Sequence, residues 1–147
     1  MEKLASITSG LAGSVALTLL HQVMKNNVSN APRMDKLGME AMETSLDKVG
    51  LPVPAKEELY NKTLAGDLVA NTSYYSMVGL IPRNSIATGA VLGALAGIGA
   101  IGLPGKMGLN NQHTNKTTKT KLLTVALYLS AGLIAGMAYK FMTRQQS

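Results

Sequence analysis

Asn84-Ser-Ile-Ala-Thr-Gly-Ala-Val-Leu-Gly-Ala-Leu-Ala-Gly-Ile-Gly-Ala-Ile-Gly-Leu103 decides how the rest of the chain is read. No charged residue occurs between Arg83 and Lys106, and Gly89, Gly93 and Gly97 recur every fourth residue. In water this is a poor helix, because each interior glycine costs roughly 1 kcal/mol relative to alanine. In a bilayer the backbone must satisfy its own hydrogen bonds, so an apolar span of this length is forced helical. The glycines then form a groove that another helix can approach closely. The spacing thus predicts a membrane helix over 85–103 and a search for its partners along the chain.

Composition agrees once clustering is considered. The chain has 147 residues, of which 46% are apolar, and a mean hydropathy of only +0.15. That average hides apolar runs separated by polar loops. There are five Tyr, one Phe and no Trp, so the apolar mass is Leu, Ala, Met, Val, Ile and Gly. With no cysteine, disulfide scaffolds, zinc–thiolate sites and iron–sulfur clusters are excluded. The net charge of +6 lies mostly in connecting segments, which suits membrane orientation and anionic headgroups; without a recognition helix or aromatic platform, no nucleic-acid partner is expected.

Three more spans are predicted. Leu4 to Met24 has no charge and is long enough to cross. A cleaved signal peptide is the rival reading, weakened by Glu2 beside Lys3 and by the lack of a clear small-x-small site after the run. Leu122 to Met142 carries Gly132 and Gly136 at spacing four, and ends in Tyr139, Lys140, Phe141 and Arg144, an interfacial set. The second span is the most polar. A helix starting at Pro54 can run unbroken to Ile81 before Pro82, crossing over about 60–81, but it contains Asp67, Asn71, Thr72, Ser73 and Ser76. Its polar face should turn away from lipid.

Between the first two spans, Met34, Leu37, Ala41, Met42, Leu46 and Val49 fall at helical spacing, opposite Asp35, Lys36, Glu40, Glu43 and Asp47. This predicts an amphipathic helix over about 32–49, with Asn30 as N-cap and Pro32 in the first turn, stopped by Gly50 and Pro52. It either lies in the interface or docks on the spans as a connecting helix; its near-balanced charge favours docking. The segment from Pro104 to Lys121 reads as a flexible polar loop.

The expectation is therefore an all-α fold: one integral membrane domain, a four-helix transmembrane bundle with one amphipathic helix. Of the 14 Lys and Arg, ten lie between residues 25 and 62 or between 106 and 121, and the other four are Lys3, Arg83, Lys140 and Arg144. The positive-inside rule then places both termini away from the cytoplasm.

Few residues suggest chemistry. His21 sits three residues before the end of the first span and Asp67 three residues into the apolar part of the second. Antiparallel neighbours would bring them to one depth, with Asn71 a turn deeper than Asp67 and Tyr74 near. An intramembrane ionisable residue is a functional candidate by default. His21, Asp67, Asn71 and Tyr74 therefore form the candidate polar cluster, set against a plain interhelical hydrogen-bond cluster, which is the commoner arrangement. Gly89, Gly93, Gly97, Gly132 and Gly136 are read as helix-packing positions rather than a pore or phosphate loop, since no Lys-Ser/Thr follows them. No catalytic residue, cofactor or metal site is expected.

The runs Gly10 to His21, Ala31 to Asp35 and Ala65 to Val69 give the chain a further aspect: here it resembles a group of small bacterial membrane proteins that brings no established activity or cofactor. The resemblance implies a bacterial inner membrane and adds nothing to mechanism. The leading expectation for function is a non-enzymatic accessory or assembly subunit of a larger membrane complex, touching lipid and either other subunits or itself. The alternative is a small transporter or channel component using His21 and Asp67.

Overall fold

The computed structural model describes residues 2–144, which form six α-helices and no strand: α1 (Glu2–Asn27), α2 (Met34–Lys48), α3 (Lys56–Tyr75), α4 (Ser85–Lys106), α5 (Gln112–Asn115) and α6 (Thr118–Arg144). The fold is all-α. Three segments are long and apolar enough to cross a membrane, namely α1, the stretch Pro82–Lys106 that contains α4, and α6. They are compatible with a multi-pass membrane protein.

The region expected as the second span differs. The α-helix does not run to Ile81; it stops at Tyr75 and gives way to 3-10 turns at Ser76–Leu80 and Pro82–Asn84. Proline disfavours helical backbone at the residue before it, and Ile81 has φ −126° and ψ 76°. The turn also places Gly79 in a tight contact: a Cβ there would lie 3.0 Å from Ser6 Cβ and 3.1 Å from the Tyr139 ring. Val78, on the same turn, is fully buried. α3 is 20 residues long, with three of the carboxylates and cations of its first turns (Lys56, Glu57, Glu58) outside any apolar stretch. By length and composition it is not among the membrane-crossing helices.

The long helices alternate in direction. α1 and α3 run antiparallel: Gly10 packs on the Thr72 carbonyl and Ser76, and Ser14 Oγ donates to the Leu68 carbonyl at 3.1 Å. α6 packs against α1 on its other side, where a Cβ on Gly13 would lie 2.8 Å from the Ala131 carbonyl oxygen. α4 then lies along α6 in the closest pairing of the fold. Gly89 faces the Gly132 carbonyl and Gly93 the Tyr128 carbonyl, while a Cβ on Gly97 would lie 2.8 Å from Val125 Cα. In return Gly136 admits Ser85 and Ile86, and Ser85 Oγ donates to the Gly136 carbonyl at 3.0 Å. A glycine every fourth residue keeps one face of α4 bare, so backbone meets backbone. Tyr75, Val78, Leu127, Ala131, Ala135 and Tyr139 fill the core where α1, α6 and the 3-10 turn converge.

The outer surface is apolar. On α1, Leu4, Ile7, Leu11, Val15, Leu19 and Val23 form an exposed stripe at spacings of three and four. α4 adds Val91, Leu95 and Ile98, each more than half exposed. In water such continuous patches are rare without a partner.

Three local expectations are corrected. Asn30 does not cap α2: it adopts φ +57° within the turn, and the helix begins at Met34 behind Arg33, which makes no side-chain cap bond. The 104–121 segment is not a loose loop. Its α5 is tied back by Thr114 Oγ1 to the Ala100 carbonyl (2.5 Å) and by Thr124 Oγ1 to the Thr114 carbonyl (3.0 Å). Finally, Tyr139 is not interfacial but wholly buried, whereas Phe141 is exposed.

Candidate functional site

α3 and α4 meet near one end, where Tyr74 Oη donates to the Leu92 carbonyl at 2.8 Å, and touch little elsewhere. The space left between them is a cavity of about 650 Å³. Leu17, Thr18, His21 and Gln22 of α1 form its back wall and Leu95, Ala96, Gly99 and Leu103 of α4 one side. Thr63, Asp67, Asn71 and Tyr74 of α3 form the other. Leu95 and Leu103 are both more than half exposed, so the cavity opens sideways between α3 and α4.

α2 floors it. Met34, Leu37, Gly38 and Ala41 line the cavity from below. Gly38 is needed at the crossing with α3, since a Cβ there would lie 2.6 Å from Thr63 Cγ2 and 3.2 Å from Asp67 Oδ2. No residue of α2 is fully buried. Polar contacts fasten its first half instead. At its start, Arg33 donates to both Asp35 oxygens (2.9 and 2.7 Å), and Lys25 Nζ lies 3.5 Å from the same carboxylate. The Arg33 amide bonds the His113 carbonyl at 2.8 Å. One turn on, Glu40 accepts from the Asn110 amide at 3.0 Å and pairs with His113 Nε2 at 3.2 Å.

The Asp35 carboxyl is held well below the usual carboxylate range. Burial works against its ionisation, but the hydrogen bonds and charge of Arg33, the charge of Lys25 and the Lys36 amide outweigh that cost. The same pairing raises the Arg33 guanidinium. Lys25 also sits over the Tyr60 ring, 5.4 Å from its centroid, and Tyr60 Oη accepts from Gln22 Nε2 at 2.7 Å.

The four residues of the candidate cluster all line this one cavity, but they are not bonded to one another. His21 does not pair with Asp67. The 28–33 turn folds back beneath the end of α1, so His21 Nε2 meets the Pro32 carbonyl at 3.2 Å and lies 3.7 Å from Asp35 Oδ1. The Tyr74 hydroxyl is committed to Leu92. Among the described residues, no hydrogen bond or ion pair reaches the Asp67 carboxylate or the Asn71 amide. Asp67 therefore presents a carboxylate without a counter-charge to a mostly apolar space. Asp35 also lines the cavity, but Arg33 and Lys25 already answer it.

Sequence reasoning missed the Asp35–Arg33–Lys25 group. Its signal was present: two opposite charges two residues apart in Arg33-Met34-Asp35, just after a turn that returns the chain to Lys25. Comparison with protein-family models, with characterised proteins and with solved structures finds no match for this chain.

Proposed function

We propose that the chain is a multi-pass protein of the bacterial inner membrane that binds a small lipophilic cation in the cavity between α3 and α4, as a component of a transporter or channel. The observation that carries this reading is the unpaired Asp67 carboxylate on the wall of a cavity otherwise lined mainly by apolar side chains. Helix bundles whose role is only to brace tend to fill their centres. A carboxylate without a counter-charge in such surroundings is costly unless it takes up a proton or something of opposite charge arrives to pair with it. Tyr60, Tyr74 and Tyr128 supply rings on which an organic cation can rest.

In this reading α3 crosses as the fourth helix. Its charged first turns, Lys56 to Lys62, stand at the headgroup level, and the crossing part runs from Leu64 through the 3-10 turn toward Ile81. Asp67, Asn71 and Tyr74 turn toward the cavity rather than the lipid. The cation-rich end, with α2 and α5, faces the cytoplasm and both termini face away. No catalytic step is assigned to it.

The test is equilibrium binding of tetraphenylphosphonium to the purified full chain in mild detergent. The parent should bind and Asp67→Asn should lose at least tenfold in affinity with an unchanged melting temperature. Equal binding by both proteins, or none by the parent, sinks the reading.

A second reading keeps the chain as an accessory or assembly subunit. It is favoured by α4, whose apolar face is the least covered of the three apolar helices and whose Gly102 has nothing within 4 Å. The exposed Val91, Leu95 and Ile98 suit an apolar partner helix as well as they suit lipid. Purification with a defined, stoichiometric membrane partner supports it; a lone chain that still binds the cation in an Asp67-dependent way rejects it.

A further inference from the structure

A second cavity, of about 380 Å³, lies at the end of the bundle where the 28–33 turn meets the 110–116 segment. Its character is opposite to the first. Lys25, Arg33, Lys36 and Lys116 line it, and no carboxylate does. Asn30, Asn110 and Gln112 add neutral polar groups between the cations. The nearest carboxylates are already engaged, Asp35 by Arg33 and Lys25, Glu40 by His113 and the Asn110 amide. Lys36 and Lys116 make no side-chain hydrogen bond or ion pair among the described residues. Lys119 stands beside the rim, bonded to Ser29 Oγ at 3.0 Å.

Like charges do not gather around one concavity without cost. Four cations against two carboxylates leave this end with unmet positive charge, and holding the side chains close raises their mutual repulsion. An anion seated among them relieves it. The stem of each lysine can lie along the helix ends while its ammonium turns inward.

We propose that this pocket binds a phosphate-bearing anion, and that its source is the headgroup of an anionic phospholipid. The choice of source rests on the membrane placement proposed above and not on the cation-binding cavity. In that placement the pocket lies at the cytoplasmic headgroup level, at the end of α1 that carries Lys25 and beside the segment between α4 and α6. A lipid standing in that leaflet carries its phosphate at the depth of the pocket. Basic pockets between helices at this level are suited to phosphate headgroups.

The experiment uses the full chain in mild detergent, titrated separately with dioleoyl phosphatidylglycerol, dioleoyl phosphatidylcholine and inorganic phosphate. Bound lipid is counted by native mass spectrometry and stabilisation is read from thermal melting. Phosphatidylglycerol should bind and raise the melting temperature, with affinity lost at least tenfold in the Lys36→Gln/Lys116→Gln double variant. Each single variant should lose part of it. The variants should melt at or slightly above the parent when no lipid is added, because neither side chain bonds to the fold and each adds to the repulsion, and should retain tetraphenylphosphonium binding. Inorganic phosphate matching phosphatidylglycerol at equal concentration supports the phosphate site but overturns the lipid as its source. Equal binding of phosphatidylcholine, or phosphatidylglycerol binding untouched by both substitutions, overturns the proposal. Should the double variant fail to fold, Lys116→Gln alone decides between these outcomes.

Discussion

Gly89 and Gly132 lie back to back, each occupying the space that a side chain on the other would need. A Cβ on either would overlap the opposite carbonyl, and the obstacle is backbone, which cannot swing aside. Gly132→Leu should therefore force α4 from α6 at a cost of about 3 kcal/mol, the upper end for overpacking. Gly102→Ala is the control: nothing lies within 4 Å of Gly102, so the change should be neutral or gain up to about 1 kcal/mol from helix propensity. Thermal melting of the two variants in detergent, followed by circular dichroism, checks the contrast.

Asp35→Asn should destabilise the protein by roughly 1.5–3 kcal/mol, the range for hydrogen bonds to a charged group. The pH dependence follows from the depressed carboxyl. The unfolded carboxyl takes up its proton near pH 4 while the folded one does so only at lower pH. Asp35 thus contributes its full stability above that range and loses it as pH falls from about 4 through the folded value. Melting curves from neutral to acid pH should show a steeper acid loss in the parent than in Asp35→Asn.

Glu40→Gln should loosen α2 without touching the bundle. It removes the charge that pairs with His113 and weakens the bond from the Asn110 amide, one of two fastenings of a helix with no fully buried residue. Hydrogen exchange should quicken several-fold over 34–48 and stay unchanged over α4 and α6. Uniform quickening everywhere would mean that α2 and the bundle open together.

Because the chain has no cysteine, single cysteines report topology directly. Glu43→Cys and Asn115→Cys should be labelled by a membrane-impermeant maleimide only after the cytoplasmic side is opened. Labelling of both in intact spheroplasts reverses the proposed orientation.

The helices were legible wherever apolar spacing ran long. The uncharged runs gave α1, α4 and α6 to within a few residues, and Met34, Leu37 and Ala41 gave α2. The break at Tyr75 was not legible, because it depends on Gly79 fitting against Ser6 and Tyr139, residues far away in the chain. Tyr139 was misplaced for the same reason: next to Lys140 and Phe141 it reads as interfacial, yet the 3-10 turn covers it. For the site, depth matching brought His21 and Asp67 to one cavity, since antiparallel helices share a rise per residue. It gave His21 the wrong partner because the 28–33 turn, with Asn30 in a left-handed conformation, lifts Asp35 to the imidazole. Periodicity carries no information about such a return.

The two kinds of fastening around the larger cavity respond to different conditions. Its walls are joined by glycine-to-backbone contacts that added electrolyte leaves alone, while its floor is joined by Asp35 and Glu40 to cationic or imidazole partners near water. Raising ionic strength shortens the reach of those charges and slackens the floor first. In the proposed placement, added salt in the compartment that α2 faces loosens this floor, while the contact of α1 with α3 at Gly10 stays closed.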